Sequence, residues 1–345
     1  VFGFFIFNNT GIQMNTEEKA KDIMTARDWI THREEIKVLD CTIRDGGLMN
    51  SSNFSYELVR AVYDACADAG VDYMEIGFKN SKSVYCPSKY GPWRFCDEHD
   101  LQKIIGDNKR NIKLSVMADT GKCDYKTDIL KRAESPIDMI RVATYIHQIP
   151  LALDMVKDAA DKGYETTLNL MAISTVGERE LDAALELIFA SDANAVYLMD
   201  SFGSFYCEQV RSLMQKYMAH AKASGKDVGI HAHNNLQLAF AKTIEAVVGG
   251  ANMVDATLAG LGRGAGNCGM ELLLGFLHNP KYKMRPVLEC IEKYIEPLRA
   301  KLGWGFDYPY MMTGLLNRHP RSAMEYNESE KRGKIIEFYD DIVKA

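Results

Sequence analysis

Short apolar runs recur along this chain at nearly regular intervals. Eight lie between residues 37 and 260: KVLDC, DYMEIGF, IKLSVMA, DMIRVAT, ETTLNLMA, AVYLMD, VGIHAH and MVDATLAG. Their centres are roughly thirty residues apart, the length of a strand plus a returning helix. Between them lie stretches such as SYELVRAVYDACADAG, LALDMVKDAADKG and LQLAFAKTIEAVVGG. Apolar residues there repeat at three- and four-residue intervals, and a Gly often ends the stretch. Eight β-then-α units predict an α/β fold, a (β/α)8 TIM barrel. A doubly wound open sheet is the alternative, but the chain has no early Gly-rich phosphate loop.

The residues beyond the eighth strand differ. VLECIEKYIEPLRAKLGW reads as a helix, followed by the aromatic loop GWGFDYPY and two shorter helical pieces. This is a C-terminal helical appendage, an interface or a cover for the site. The expected division is an N-terminal extension and helix over 1–35, a catalytic barrel over 36–280 and a helical region over 281–345. Met14 begins a soluble amphipathic stretch and is read as the translation start, with residues 1–13 upstream of it.

Composition narrows the function classes. The 345 residues are 47% hydrophobic and 26% charged, as in soluble globular proteins. Net charge is −6 and no basic cluster resembles a nucleic-acid footprint. The apolar start VFGFFIF is too short for a membrane span or a signal peptide. The eight cysteines form no CxxC pair, which favours free thiols in a reducing cytoplasm.

Polar residues gather where each strand ends. Strand one leads into Thr42, Arg44 and Asp45, strand two carries Glu75 and leads to Lys79, and strand three ends at Asp119. Strand four holds Arg141 and Thr144, strand five Asn169, strand six Asp200, strand seven His231 and His233, and strand eight Asp255 and Thr257. In a barrel this is the catalytic end. His231 and His233 are two apart on a strand, so both imidazoles project from one face. With Asp45, since strands one and seven are two apart around a closed barrel, they suit a divalent ion, Mn²⁺, Mg²⁺, Zn²⁺ or Co²⁺. Arg44 would face developing negative charge. GLGRGAGNCGMELL lets backbone amides, at Gly264 among others, approach a carboxylate, and Asn267 could add a metal contact.

With these residues the chain resembles the DRE-TIM metallolyase superfamily, the HMG-CoA lyase-like or pyruvate carboxyltransferase domain. The motifs are LDCTIRDGG, EIG, IRVAT, MDSFGS, HAHNNLQLA and DATLAGLGRGAGN, over roughly residues 37–280, and they look most like the 4-hydroxy-2-oxovalerate aldolase branch. The resemblance implies Asp45, His231 and His233 as metal ligands, with Asn267 at a position that reaches the metal in the lyase branch. It implies Arg44 as the enolate-stabilising cation and Glu75 as its orienting partner. Mn²⁺ or Mg²⁺ becomes the leading ion. Thr144, Asn169, Asp200, Gly264 and Lys79 are candidate substrate contacts.

Two departures stand out. The aldolase branch has a histidine three residues after the metal-binding aspartate and another directly after RVAT; here those positions are Leu48 and Tyr145. Tyr310 and His319 are the candidates for the acid/base. The loop FKNSKSVYCPSKYGPWRFCDEHD, with Lys79, Lys82, Lys89, Trp93 and Arg94, is either a cationic lid or an ordinary surface loop. Asn234 and Asn235 either contact substrate or cap the following helix.

The leading expectation is a metal-dependent aldolase that splits a 2-oxo acid into a carbonyl compound and a pyruvate-type enolate. A Claisen-type acyltransferase joining acetyl-CoA to a 2-oxo acid is the first alternative, and a non-catalytic partner with a relict site the second. A homo-oligomer is expected, and the branch implies an aldehyde dehydrogenase partner.

Overall fold

The computed structural model describes residues 35–106 and 110–344. The Met14 start and the apolar arm before it lie outside the described residues. Eight parallel strands close into a barrel in chain order. They are β1 (Lys37–Asp40), β2 (Tyr73–Phe78), β3 (Lys113–Asp119), β4 (Met139–Thr144), β5 (Glu165–Leu170), β6 (Ala195–Asp200), β7 (Asp227–Ala232) and β8 (Met253–Ala256). β8 pairs with β1, so no edge is left open. All eight apolar runs supply a strand.

The returning helices are α1 (Tyr56–Ala69), α2 (Glu98–Ile105), α3 (Tyr125–Asp128), α4 (Ile149–Asp161), α5 (Glu178–Phe189), α6 (Cys207–Ser224), α7 (Ala239–Gly249) and α8 (Met270–Leu277). α1 shows why the pattern is readable: the Ser55 hydroxyl accepts from the Leu58 amide at 3.2 Å, and Gly70 ends the helix in the left-handed region. The β3–β4 crossover departs from the regular unit, because α3 is a single turn.

The appendage comprises α9 (Met284–Cys290), α10 (Glu296–Leu302), α11 (Tyr308–Leu315), α12 (Arg321–Glu328) and α13 (Ile335–Lys344). The single helix expected over VLECIEKYIEPLRAKLGW is interrupted by a π-helical turn at Ile291–Ile295. Pro297 follows that turn at the start of α10, where its missing N–H costs nothing. Three helical pieces follow instead of two, since α11 forms inside the expected aromatic loop. No helix among the described residues is long and apolar enough to cross a membrane.

Alternation along each strand sorts residues between the barrel interior and the helix layer. The lower interior is apolar: Leu39, Tyr73, Met139, Ala195, Tyr197 and Met253 pack together. Gly229 on β7 lies opposite Tyr197 on β6, and a Cβ there would come within 2.5 Å of its ring. Tyr197 in turn lies 4.3 Å beneath the Arg141 guanidinium. Gly229→Ala is therefore expected to destabilise the fold by about 1–3 kcal/mol through overpacking. Urea denaturation with an unchanged midpoint would contradict this account of the interior.

Candidate metal centre and active site

After β1 the chain winds into a short helical turn, Thr42–Gly46. Arg44 and Asp45 sit on this turn and not on the strand end where the sequence pattern put them. Thr42 fixes it: its hydroxyl donates to Asp40 Oδ1 at 2.5 Å, and its oxygen accepts from the Leu258 amide at 2.9 Å. The turn is thereby tied to the strand before it and to the loop after β8.

β7 supplies the imidazoles. His231 Nδ1 lies 3.0 Å from Asp255 Oδ2, and His233 Nδ1 lies 3.0 Å from the Asp200 carbonyl oxygen. Both partners only accept, so each Nδ1 carries the proton and each Nε2 keeps a free lone pair. Both Nε2 atoms are buried with no hydrogen-bond partner among the described residues. Ligand atoms of Asp45, His231 and His233 lie within 4.8 Å of one another. Burial holds the His233 pKa below the ordinary value, which keeps the ring neutral as a ligand must be.

Asn267 completes the group. Its Nδ2 donates to Asp45 Oδ2 at 2.6 Å, while its Oδ1 is buried without a partner. Gly262 makes this approach possible, since a Cβ there would meet Asp45 Oδ2 at 2.5 Å and run into the Asn267 amide. Cys41, His231 and Asp255 form a second cluster of ligand atoms. Burial pushes the Cys41 thiol well above its ordinary pKa, and His231 Nδ1 is already committed, so the Asp45 group is the better metal site.

A buried ion network surrounds these atoms. Arg44 Nε donates to Glu75 Oε2 and its Nη1 to Asp45 Oδ1, both at 2.6 Å. Arg141 bridges Glu75 at 3.0 Å and Asp255 at 2.7 Å. Burial opposes the charge on Asp45, but Arg44 holds its carboxyl well below the usual range. Burial likewise opposes the Arg44 charge, and Glu75 and Asp45 more than offset it. Two guanidiniums pair with the three carboxylates of Asp45, Glu75 and Asp255, so this ion-paired set carries one more negative than positive charge. An uncompensated buried charge is costly. A divalent cation at the bare Nε2 and Oδ1 atoms fits both the ligand chemistry and this charge balance.

The other candidate residues are placed as follows. Strand alternation turns Thr144 and Asp200 toward the helix layer. Asp200 pairs there with the fully buried Lys242 of α7 and accepts from the Ser204 amide at 3.0 Å. Asn169 lies inside the barrel, accepting from the Thr167 hydroxyl at 2.7 Å. Lys79 is held by Glu98 at 2.9 Å and the Cys96 carbonyl at 3.0 Å. Gly264, in the left-handed region at φ +60°, lies against the Tyr310 ring. Burial pushes the Tyr310 hydroxyl up to about 12, and no hydrogen bond to it is formed among the described residues. His319 is exposed, and its Nδ1 accepts from the Arg321 amide at 3.1 Å. Asn234 caps α7 by accepting from the Ala239 amide at 3.0 Å, and Asn235 donates to the Tyr310 carbonyl at 3.3 Å. Leu48 packs with Phe78, Met117, Ala143 and Met171.

The sequence placed Arg141 and Asp255 at the catalytic end without giving either a role, and Gly262 and Lys242 were not singled out as site residues. A charged residue inside the apolar runs IRVAT and MVDATLAG was a usable signal, as was a lysine in the apolar helix AFAKTIEAVV. Gly262 left none, because its role is a close approach between distant segments.

Comparison with known proteins agrees with this geometry. The HMGL-like family model matches residues 35–289. An oxaloacetate decarboxylase of Mycobacterium tuberculosis is 32% identical over 263 residues, 74% of this chain and 72% of that protein. A 4-hydroxy-2-oxovalerate aldolase of Pelotomaculum thermopropionicum is 30% identical over 251 residues, 72% of each chain. Among solved structures, the N-terminal domain of a candidate aldolase from Bacteroides vulgatus superposes with a TM-score of 0.74 at 28% identity. That match covers 86% of this chain and 98% of the other. Closed barrel, family match and lyase relatives converge: the chain belongs to the HMGL-like family and is an enzyme of its carbon–carbon lyase class.

Proposed function

We propose that this enzyme uses a divalent ion to break a C–C bond of a 2-oxo acid and release a pyruvate-type enolate. The observation that carries the reading is the set of bare acceptors, Nε2 of His231 and His233 and Oδ1 of Asn267, beside the ionised Asp45. Mn²⁺ or Mg²⁺ suits a site with carboxylate and amide oxygens, and Zn²⁺ or Co²⁺ suits its imidazoles. When bound, the ion supplies a Lewis acid for the 2-oxo carbonyl.

The remaining work falls to the chain's own side chains. Arg44 is clamped on two sides, yet its Nη2 is buried without a partner among the described residues. That N–H is preorganised to donate to the oxygen on which enolate charge develops. Glu75 fixes the guanidinium plane and is a positioning residue. In aldol cleavage the 4-hydroxyl gives its proton to a water molecule, its oxygen becomes the new carbonyl, and the C3–C4 bonding pair becomes the enolate. Tyr310, protonated at neutral pH, is the acid we assign to protonate C3 of that enolate.

Leu48 favours a second reading. It lies in an apolar wall with Phe78, Met117 and Ala143, and it cannot take a hydroxyl proton. Loss of CO₂ from a 2-oxo dicarboxylate needs no such base, and one relative is named oxaloacetate decarboxylase. Pyruvate formation from 4-hydroxy-2-oxopentanoate and from oxaloacetate, each against a metal-only blank, separates the two readings.

With either substrate, Asp45→Asn is expected to lower kcat by at least about 1000-fold while the barrel still folds, as far-UV circular dichroism reads. Turnover at the wild-type rate would refute the assignment. Gly262→Ala should weaken Mn²⁺ binding about 10- to 100-fold by displacing Asp45 and Asn267. An unchanged Kd in calorimetry would place the ion elsewhere.

A further inference from the structure

Five cations are buried among the described residues: Arg44, Lys79, Arg94, Arg141 and Lys242. Four of them pair with carboxylates. Arg94 does not. Its side chain is held by aromatic faces, 4.2 Å from the Phe78 ring centroid, 5.0 Å from Tyr85 and 5.2 Å from Tyr90. Its Nε is buried without a partner, and none of its guanidinium nitrogens makes a hydrogen bond among the described residues. Asp119, the acid that bears on it, accepts from Asn80 Nδ2 at 3.1 Å and faces Lys122 at 3.8 Å. Three rings recover part of the lost hydration, but a guanidinium's planar fork of donors is left unused.

The loop needs none of those donors to hold its shape. Trp93 anchors it by donating to the Phe54 carbonyl at 2.8 Å, and the Arg94 carbonyl accepts from the Asn80 amide at 3.2 Å. Gly77 lets the Trp93 carbonyl lie against β2 where a Cβ would collide with it. A register shift between Glu75 and Phe78 accompanies this contact. The extra residue returns Phe78 to the interior face, beside Met117 and Ala143. Phe78 and Ala143 lie further toward the C-terminal ends of their strands than Glu75 and Arg141, Ala143 by roughly 7 Å, while Met117 lies in register with Arg141. Arg94 lies on the Phe78 ring, at the edge of this apolar group.

We propose that Arg94 binds a second anionic group of the substrate, a carboxylate at the end remote from the 2-oxo acid head. The enzyme then acts on 2-oxo dicarboxylates in preference to 2-oxo acids with neutral tails. This inference rests on the reading of the metal centre as a 2-oxo acid site. The head lies by Arg44 and Asp45, the carbon chain crosses Phe78, Met117 and Leu48, and the distal carboxylate meets the Arg94 fork. A guanidinium gripping a carboxylate about to depart as CO₂ would stabilise the starting state and slow its loss. The anion therefore belongs to the fragment released as a carbonyl product, which favours aldol cleavage over decarboxylation.

The test compares 2-oxoglutarate with 2-oxopentanoate, a pair of equal chain length, by calorimetry on the Mn²⁺-loaded enzyme. Wild type is expected to bind the dicarboxylate about 10- to 100-fold more tightly, as a charge-assisted bidentate contact allows. Arg94→Met should erase that preference while leaving the 2-oxopentanoate Kd within about two-fold, and Arg94→Lys should keep part of it. No preference in wild type overturns the proposal without any variant. Equal weakening of both ligands in Arg94→Met overturns it too, since that marks a structural role. Hydrogen–deuterium exchange of pyruvate, which has no distal anion, separates the levels. Exchange by wild type without dicarboxylate preference refutes Arg94 alone, whereas no exchange and no binding of either acid refutes the reading beneath it.

Discussion

The structure turns on a buried chain of ion pairs that crosses the barrel, Asp255, Arg141, Glu75, Arg44 and Asp45, with His231 hydrogen-bonded to its end at Asp255. It joins β7, β8, β4 and β2 to the turn after β1, so five segments distant in sequence share one electrostatic unit. Charges removed from water this far are tolerated only when each is matched in geometry, and breaking one link costs about 3–5 kcal/mol. The network therefore ties the upper ends of four strands to the turn after β1. It also leaves a negative remainder beside three bare ligand atoms, which is the physical basis for a cation there.

Everything nearer the mouth is arranged around that unit. Thr42 ties the Arg44 turn to the β8 loop, and Gly262 brings that loop close enough for Asn267 to reach Asp45. The appendage is fastened on the same side: Trp304 donates to the Ala259 carbonyl at 2.9 Å, and Tyr310 covers Gly264. The opposite wall, from β2 to β4, is apolar at Leu48, Phe78 and Met117 and ends at Arg94. The mouth thus has a charged side and an apolar side, which suits a ligand with one chelating head and a carbon chain.

Much of this was legible in the sequence because it is written locally. The eight apolar runs gave the strands, and Ser55 with Gly70 shows the capping chemistry that bounds a helix. The HxH pair and the Arg-Asp dipeptide carried their spacing in plain view. What stayed hidden depends on contacts between distant segments. The pairing of Arg141 with Asp255 spans 114 positions, and Lys242 finds Asp200 across 42. Thr144 and Asp200 lie near strand ends, yet the two-residue period sends them outward, away from the chemistry. Lys79 reads as an available cation until Glu98 is placed beside it. The π-helical turn and the bulge at Gly77 also escape pattern reading, since each inserts a residue without changing composition.

The central claim is that this site forms an enolate under a divalent ion held by Asp45, His231 and His233. Proton NMR of pyruvate in D₂O with Mn²⁺-loaded protein, quenched with EDTA before acquisition, tests it most directly. Loss of the methyl signal with the native protein, absent in Asp45→Asn and after prior metal removal, is the predicted result. Exchange that persists without the ion or without Asp45, or no exchange with the loaded native enzyme, would contradict the account.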